Sequence, residues 1–262
     1  MAKMAVADLL KLKGKRKITI LTAFDKMTAE TAAAAGIDVL LTWGSSMEQL
    51  TNYIKTLREA APNTFIGAGI PKIAYASEVD VLKSAILARE AGADLIYASA
   101  LEIDKFKALG RQKIPFVGHA GYIPNLNTWF GGPRAVGKTC EEALKVYDAV
   151  KAYQDAGAVA VEMECIPADI AKAITEKVDI LTFSMGSGAD CDGQYLYSTD
   201  VLGTHNDHYP RHAKKYANFY EESIKAFTRF REEVDNGIYP GREHIIPTPE
   251  GELEKFLHEI EK

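Results

Sequence analysis

One seven-residue pattern recurs three times along the chain and restricts the fold more than any other feature. It reads Ala35-Gly36-Ile37-Asp38-Val39-Leu40-Leu41, then Ala91-Gly92-Ala93-Asp94-Leu95-Ile96-Tyr97, then Ala156-Gly157-Ala158-Val159-Ala160-Val161-Glu162. Each copy ends a helix at alanine, gives the left-handed cap to glycine and runs directly into an apolar strand. A junction of this kind is half of a βα unit. Apolar runs at 18–23, 38–42, 64–68, 94–98, 114–118, 158–163 and 179–184 alternate with helical patterns such as 78–91 and 141–156. Near-continuous apolar strands separated by helices build a parallel sheet covered on both faces. Residues 194–197 read as an eighth strand, so the predicted fold is α/β, a (β/α)8 TIM barrel with an N-terminal helix and C-terminal helices. The alternative is an open doubly wound sheet, but no GxGxxG follows the first strand.

A chain of 262 residues suits one such barrel, for which about 250 residues is typical. A single domain over 1–262 is expected, with the barrel over 18–236. An amphipathic helix at 216–236 precedes an irregular C-terminal tail at 237–262, marked by Pro240, Pro247 and Pro249. The net charge of -5, with no run of five like charges, argues against nucleic acid and for a small-molecule partner. Cys140, Cys165 and Cys191 have neither the even number of a disulfide framework nor a zinc spacing, which suits the cytoplasm. No membrane span and no export signal are expected.

In such barrels chemistry sits just beyond the C-terminal ends of the strands. Those positions hold Asp25, Trp43 with Ser45 and Ser46, Gly69, Tyr97 to Ser99, His119, Glu164 and Ser187. Glu162 and Glu164 stand at the carboxyl end of the strand at 158–163, the second just beyond it. A glutamate and a histidine at facing strand ends form a proton-transfer pair, and serine hydroxyls suit a substrate carboxylate.

Several stretches at these ends resemble the ketopantoate hydroxymethyltransferase family of the phosphoenolpyruvate mutase and isocitrate lyase superfamily. They are residues 20–25 (ILTAFD), 117–124 (VGHAGYIP), 130–132 (FGG), 163–167 (MECIP), 186–194 (GSGADCDGQ) and 237–244 (GIYPGREH). The likeness runs in order from about Ala7 to His244. It implies a (β/α)8 barrel, a homo-oligomer, often a decamer, and transfer of a one-carbon unit from methylenetetrahydrofolate to the enolate of 3-methyl-2-oxobutanoate. By resemblance Glu164 is the base, Ser45 helps hold the substrate carboxylate and His119 lies near the reacting carbons.

The sequence departs from the family where its magnesium is held. The family's Gly-Asp-Ser after the second strand is here Trp43-Gly44-Ser45, and its second magnesium aspartate is Gly69. A Lys and a Glu of the fourth strand become Tyr97 and Ser99. Magnesium needs hard oxygen ligands, and an ion chelated by a 2-oxo acid stabilises the enolate strongly. No metal ligand is therefore assigned.

The reading favoured is an enzyme of proton abstraction and aldol or retro-aldol chemistry on a small oxo or hydroxy acid without that magnesium. Glu164, His119 and Tyr97 are then catalytic, with Tyr97 donating to the oxyanion. Ser45, Ser46, Trp43, Asp25, Ser99 and Ser187 would line the substrate. The alternatives are the magnesium-dependent 3-methyl-2-oxobutanoate hydroxymethyltransferase of pantothenate biosynthesis, and a non-catalytic barrel or binding subunit. Among the remaining features, His205, Asp207, His208 and His212 are read as a solvated loop rather than a metal cluster. Residues 185–193 are read as a tight turn rather than a phosphate loop, and Asp25 doubles as a helix cap.

Overall fold

A computed structural model describes residues 3–98 and 103–262. Helix α1 (Val6–Leu10) leads into eight parallel strands. They are β1 (Ile18–Thr22), β2 (Val39–Trp43), β3 (Phe65–Gly69), β4 (Leu95–Tyr97), β5 (Phe116–Gly121), β6 (Ala160–Glu164), β7 (Leu181–Met185) and β8 (Gly193–Leu196). They pair in chain order, and Ile18 to Leu21 of β1 pair with Gly193 to Leu196 of β8 to close the barrel. Between them lie α2 (Lys26–Ala34), α3 (Met47–Ala60), α4 (Glu78–Glu90), α5 (Lys107–Arg111), α6 (Asn127–Phe130), α7 (Cys140–Asp155) and α8 (Ala168–Thr175), with α9 (Ser198–Leu202) after β8.

The repeated junction explains how the helices feed the strands. Gly36, Gly92 and Gly157 adopt φ of 78°, 116° and 92°. The residue after each glycine then donates its N–H to a carbonyl five positions back, Ile37 to Ala32, Ala93 to Ala88 and Ala158 to Tyr153, each at 3.0 Å. That bond stops the helix and turns the chain towards the sheet. The aspartates of the first two copies tie each strand to the one before it. Asp38 accepts from the N–H and hydroxyl of Thr19 on β1, and Asp94 accepts from the N–H of Ile66 on β3 and from Arg58. Helix starts are equally local, since Asp25, Ser46, Ser77 and Thr139 accept the free N–H groups of α2, α3, α4 and α7.

The described residues form two compact units, one of residues up to 201 with 207–215 and one of 202–206 with 216–262. In the second, α10 (Phe219–Asp235) and α11 (Glu252–Ile260) bury none of their residues and expose Phe227, Phe230 and Phe256. In the first, Ile18, Ile20, Val39, Phe65, Leu95, Val117 and Leu181 pack together as the apolar filling of the barrel. Nearer the C-terminal ends of the strands, polar side chains lie alongside this filling.

Candidate active site

The pleat of β6 sets the site. Ala160 belongs to the apolar filling, and Glu162 and Glu164 follow at steps of two, so they share its face. Register with β5 puts His119 opposite Glu162 and Gly121 opposite Glu164. The three side chains meet there. Nε2 of His119 lies 2.9 Å from Oε2 of Glu164, and the potential ligand atoms of His119, Glu162 and Glu164 all lie within 4.8 Å of one another. They are 5%, 3% and 9% exposed.

Glu162 is the most constrained of the three. No described residue hydrogen-bonds to its carboxyl group. Burial, reinforced by repulsion from Glu164, pushes its pKa well above the ordinary glutamate value. The same two carboxylates act on their surroundings: burial first, then Glu164, raises the Cys165 thiol to about 11. Burial and then Glu162 raise the hydroxyls of Tyr195 and Tyr197.

The sign of the effect on stability follows from proton binding. Between the ordinary glutamate value and its raised one, Glu162 keeps a proton in the folded chain that the unfolded chain has lost, so its contribution to stability falls as pH rises through that window. Glu162→Gln removes this loss. Melting temperatures of the variant are expected to gain on the native chain as pH rises from 4.5, the ordinary value, towards neutrality; parallel curves would show an ionised, compensated Glu162.

The backbone around Glu164 is tightly fixed. Its carbonyl accepts from the N–H of Tyr122 at 2.8 Å. Cys165 follows at φ 50°, a left-handed conformation rare for a residue with a side chain. Ser187, almost wholly buried, holds that turn by donating to the Met163 carbonyl at 2.7 Å and accepting from the Ile166 N–H at 2.9 Å.

The trio forms part of the wall of a cavity of about 860 Å³ that opens at the C-terminal ends of the strands. One wall is aromatic. Phe24 meets Trp43 edge-on at 4.6 Å and Tyr53 at 5.6 Å, and Trp43 meets Tyr197 at 5.5 Å. Tyr97 lies beside His119, ring centroids 6.2 Å apart, with a buried hydroxyl that has no partner among the described residues.

Of the residues singled out by sequence, Glu164, His119, Tyr97, Trp43 and Ser45 line this cavity together. Three others are engaged elsewhere. Asp25 caps α2 through Thr28, Ser46 caps α3 through Gln49, and Ser187 pins the turn after Glu164. Ser99 lies outside the described residues. Of the 205–212 stretch, His208 is exposed and His212 half-buried; the group of three that could share an ion among the described residues is the barrel trio. The cavity also gathers residues that strand-end reasoning passed over. Glu162, in sequence only an acid at the end of an apolar run, is one of them. Gln49 accepts from the hydroxyl and N–H of Ser45, both at 2.8 Å, and Lys72 is the one Lys or Arg among the described lining residues. Neither carries a distinctive sequence signal.

Whether the magnesium expected of the family fits can be tested at Gly44 and Gly69, the positions that the resemblance matches to its aspartates. A side chain at Gly44 would put Cβ 2.6 Å from the backbone nitrogen of Leu50, and one at Gly69 would put it 3.0 Å from Cβ of Trp43. Neither position offers a donor, Gly44 has no room for one without a backbone shift, and at Gly69 Trp43 would have to give way by a few tenths of an ångström. The barrel trio has the spacing to share an ion, but it includes an imidazole, whereas magnesium favours an octahedron of oxygens and waters. An ion there would also commit the lone pairs that a proton-transfer pair needs. The residues present do not fit the family's magnesium.

Comparisons agree with this architecture. A family model described as ketopantoate hydroxymethyltransferase matches residues 3–242. The chain is 36% identical over 258 residues to the 3-methyl-2-oxobutanoate hydroxymethyltransferase of Enterococcus faecalis, covering 92% of this chain and 94% of that one. It is also 36% identical over 263 residues to that of Thermotoga maritima, covering 92% and 96%. Among solved structures it resembles the phosphoenolpyruvate phosphomutase of Streptomyces platensis subsp. rosaceus, with TM-score 0.58 and 13% identity over 98% of this chain and 97% of that one. It likewise resembles 2,3-dimethylmalate lyase, a PEP mutase/isocitrate lyase superfamily member, with TM-score 0.56 and 13% identity over 100% and 99%. At that identity these structures speak to the fold.

Proposed function

The chain belongs to the ketopantoate hydroxymethyltransferase family, and from that premise we propose an enzyme that deprotonates a small 2-oxo acid and makes or breaks a carbon-carbon bond beside its carbonyl, without the family's magnesium. The observation that carries this reading is the buried contact of 2.9 Å between His119 and Glu164 in the wall of the cavity. A carboxylate held against an imidazole, away from water and beside an open volume, is the equipment of proton transfer next to a carbonyl.

The roles follow from position. Glu164 takes the proton from the carbon next to the carbonyl. His119, with Nε2 2.9 Å from Oε2 of Glu164, provides a second place for the proton. The unpartnered hydroxyl of Tyr97 donates to the oxygen on which charge develops, a task otherwise given to an ion. Lys72 supplies a cation for the substrate carboxylate, and Ser45 joins it by turning its hydroxyl from Gln49 to the ligand. The aromatic wall offers flat faces to a folate ring, and bound methylenetetrahydrofolate would supply the one-carbon electrophile. Trp43, 38% exposed, narrows that side.

Exchange of the proton beside the carbonyl tests the reading without knowledge of the one-carbon donor. In deuterated buffer, proton NMR of 3-methyl-2-oxobutanoate, pyruvate and 2-oxobutanoate with the protein is expected to show exchange in EDTA, with less than about threefold gain on adding magnesium. Exchange that requires magnesium would overturn the metal-free account. Silence towards every oxo acid under both conditions would overturn the proposed chemistry.

A further inference from the structure

Glu162 has no role in the proton transfer described above, yet it is more deeply buried than either member of the pair. A buried carboxylate with no cation and no hydrogen-bond donor is expensive to keep, and a barrel interior would ordinarily use an apolar residue there. Its neighbours make the position still less favourable to charge, because Glu164 stands two residues away on the same face and both side chains reach into one cluster with His119. Tyr195, also buried, faces the same cavity. The low-energy form of such a group is the neutral acid. A neutral acid carries an O–H, and among the described residues that donor has no acceptor bonded to it. What completes it must come from the cavity, which the side chain lines.

We propose that Glu162 is a further catalytic residue: from the wall of the cavity its carboxylic acid donates a hydrogen bond, and then its proton, to the carbonyl oxygen of the 2-oxo acid while Glu164 deprotonates the adjacent carbon. This inference rests on the function proposed above and gives it an acid as well as a base.

The step balances within the pair. The C–H bond breaks and its proton goes to the Glu164 carboxylate. The electron pair forms the C=C bond, and the carbonyl π pair moves to oxygen. That oxygen takes the Glu162 proton, leaving an enol. The two carboxyl groups carry one negative charge between them before the step and one after it. The buried cluster therefore never holds two carboxylates at once, which is the state its surroundings oppose. Attack of the enol carbon on an electrophile returns the proton from oxygen to Glu162 as the carbonyl reforms. A neutral carboxylic acid set in an apolar wall is an established means of stabilising an enolate oxygen.

Two variants and one spectroscopic readout test the assignment in the full chain. Glu162→Leu suits the apolar interior and removes the donor. Glu162→Gln keeps an N–H but has no proton to give. By NMR in EDTA, the leucine variant is expected to lose at least about 100-fold in the maximal rate of exchange with KM changed less than about threefold, and the glutamine variant to fall between it and the native chain. A structural role alone would leave exchange unaltered in the leucine variant, and that result overturns the proposal. Infrared difference spectra of native against Glu162→Gln protein at neutral pH are expected to contain the C=O stretch of a protonated carboxylic acid, and oxalate, a mimic of the enolate, is expected to shift it. Absence of the band, or a band that oxalate leaves unmoved, would likewise overturn the assignment. If the native chain exchanges no oxo acid, the function proposed above fails by itself, and the response of the band to oxalate still decides whether Glu162 donates to an anionic oxygen.

Discussion

Glu164→Gln is expected to lower the rate of proton exchange on a 2-oxo acid by about 10²- to 10⁴-fold, the range spanned by a positioned general base. The amide has nearly the same volume as the carboxylate and still presents an oxygen towards His119, so the cavity and substrate affinity should persist. The loss is expected in the maximal rate rather than in KM, which separates an absent base from a deformed pocket. Proton NMR in deuterated buffer with EDTA reads the rate, and circular dichroism checks that the barrel is intact. Exchange at the native rate in this variant would remove Glu164 from the chemistry.

The second large effect is expected from Gly121→Ala, through the backbone that carries Glu164. Gly121 sits at φ 92°, and an added Cβ would come within 2.2 Å of the Glu164 carbonyl oxygen and 2.7 Å of the Ile166 side chain. A left-handed conformation costs an alanine about 1–2 kcal/mol, and overpacking a filled site adds about 1–3 kcal/mol. Together they give a loss of about 2–5 kcal/mol, or a fall in melting temperature of roughly 5–15 °C for a chain of this size. Exchange should fall as well, because relief of the clash displaces the carbonyl that anchors the β5 to β6 junction. Calorimetry and the same NMR assay measure both. A melting temperature within about 2 °C of the native value would show that this junction is softer than its packing implies.

How much of this molecule was legible beforehand depended on whether the determining interactions were local in sequence. The three Ala-Gly junctions could be read because the cap, the glycine conformation and the strand that follows lie within seven residues. The barrel followed from their repetition, and the eighth strand at 194–197 is found one residue earlier, at Gly193–Leu196. Glu164 and His119 could be placed at strand ends, but their separation of 2.9 Å depends on the β5 to β6 register, which no short segment specifies. Glu162 was visible only as an acid after an apolar run, since the sequence does not reveal which wall of a barrel is closed over a side chain. Asp25, Ser46 and Ser187 illustrate the converse. Their residue types suit ligand binding and hydrogen bonding to backbone equally, and only the fold shows that their oxygens are engaged with the chain itself. Gln49 and Lys72 reach the cavity from the first turn of α3 and from the segment after β3, positions with no periodic signature.

Gly44 and Gly69 have a consequence for ancestry. If forebears of this chain held aspartate at those positions, the route back is no longer a single change. A side chain at 44 collides with the backbone of Leu50 rather than with a flexible side chain, so the start of α3 would have to move first, and one at 69 would crowd Trp43. Where packing has closed over a former ligand position, reversion requires several coordinated substitutions. On that premise the barrel would act as a ratchet, with its packing as well as its reacting groups barring the way back.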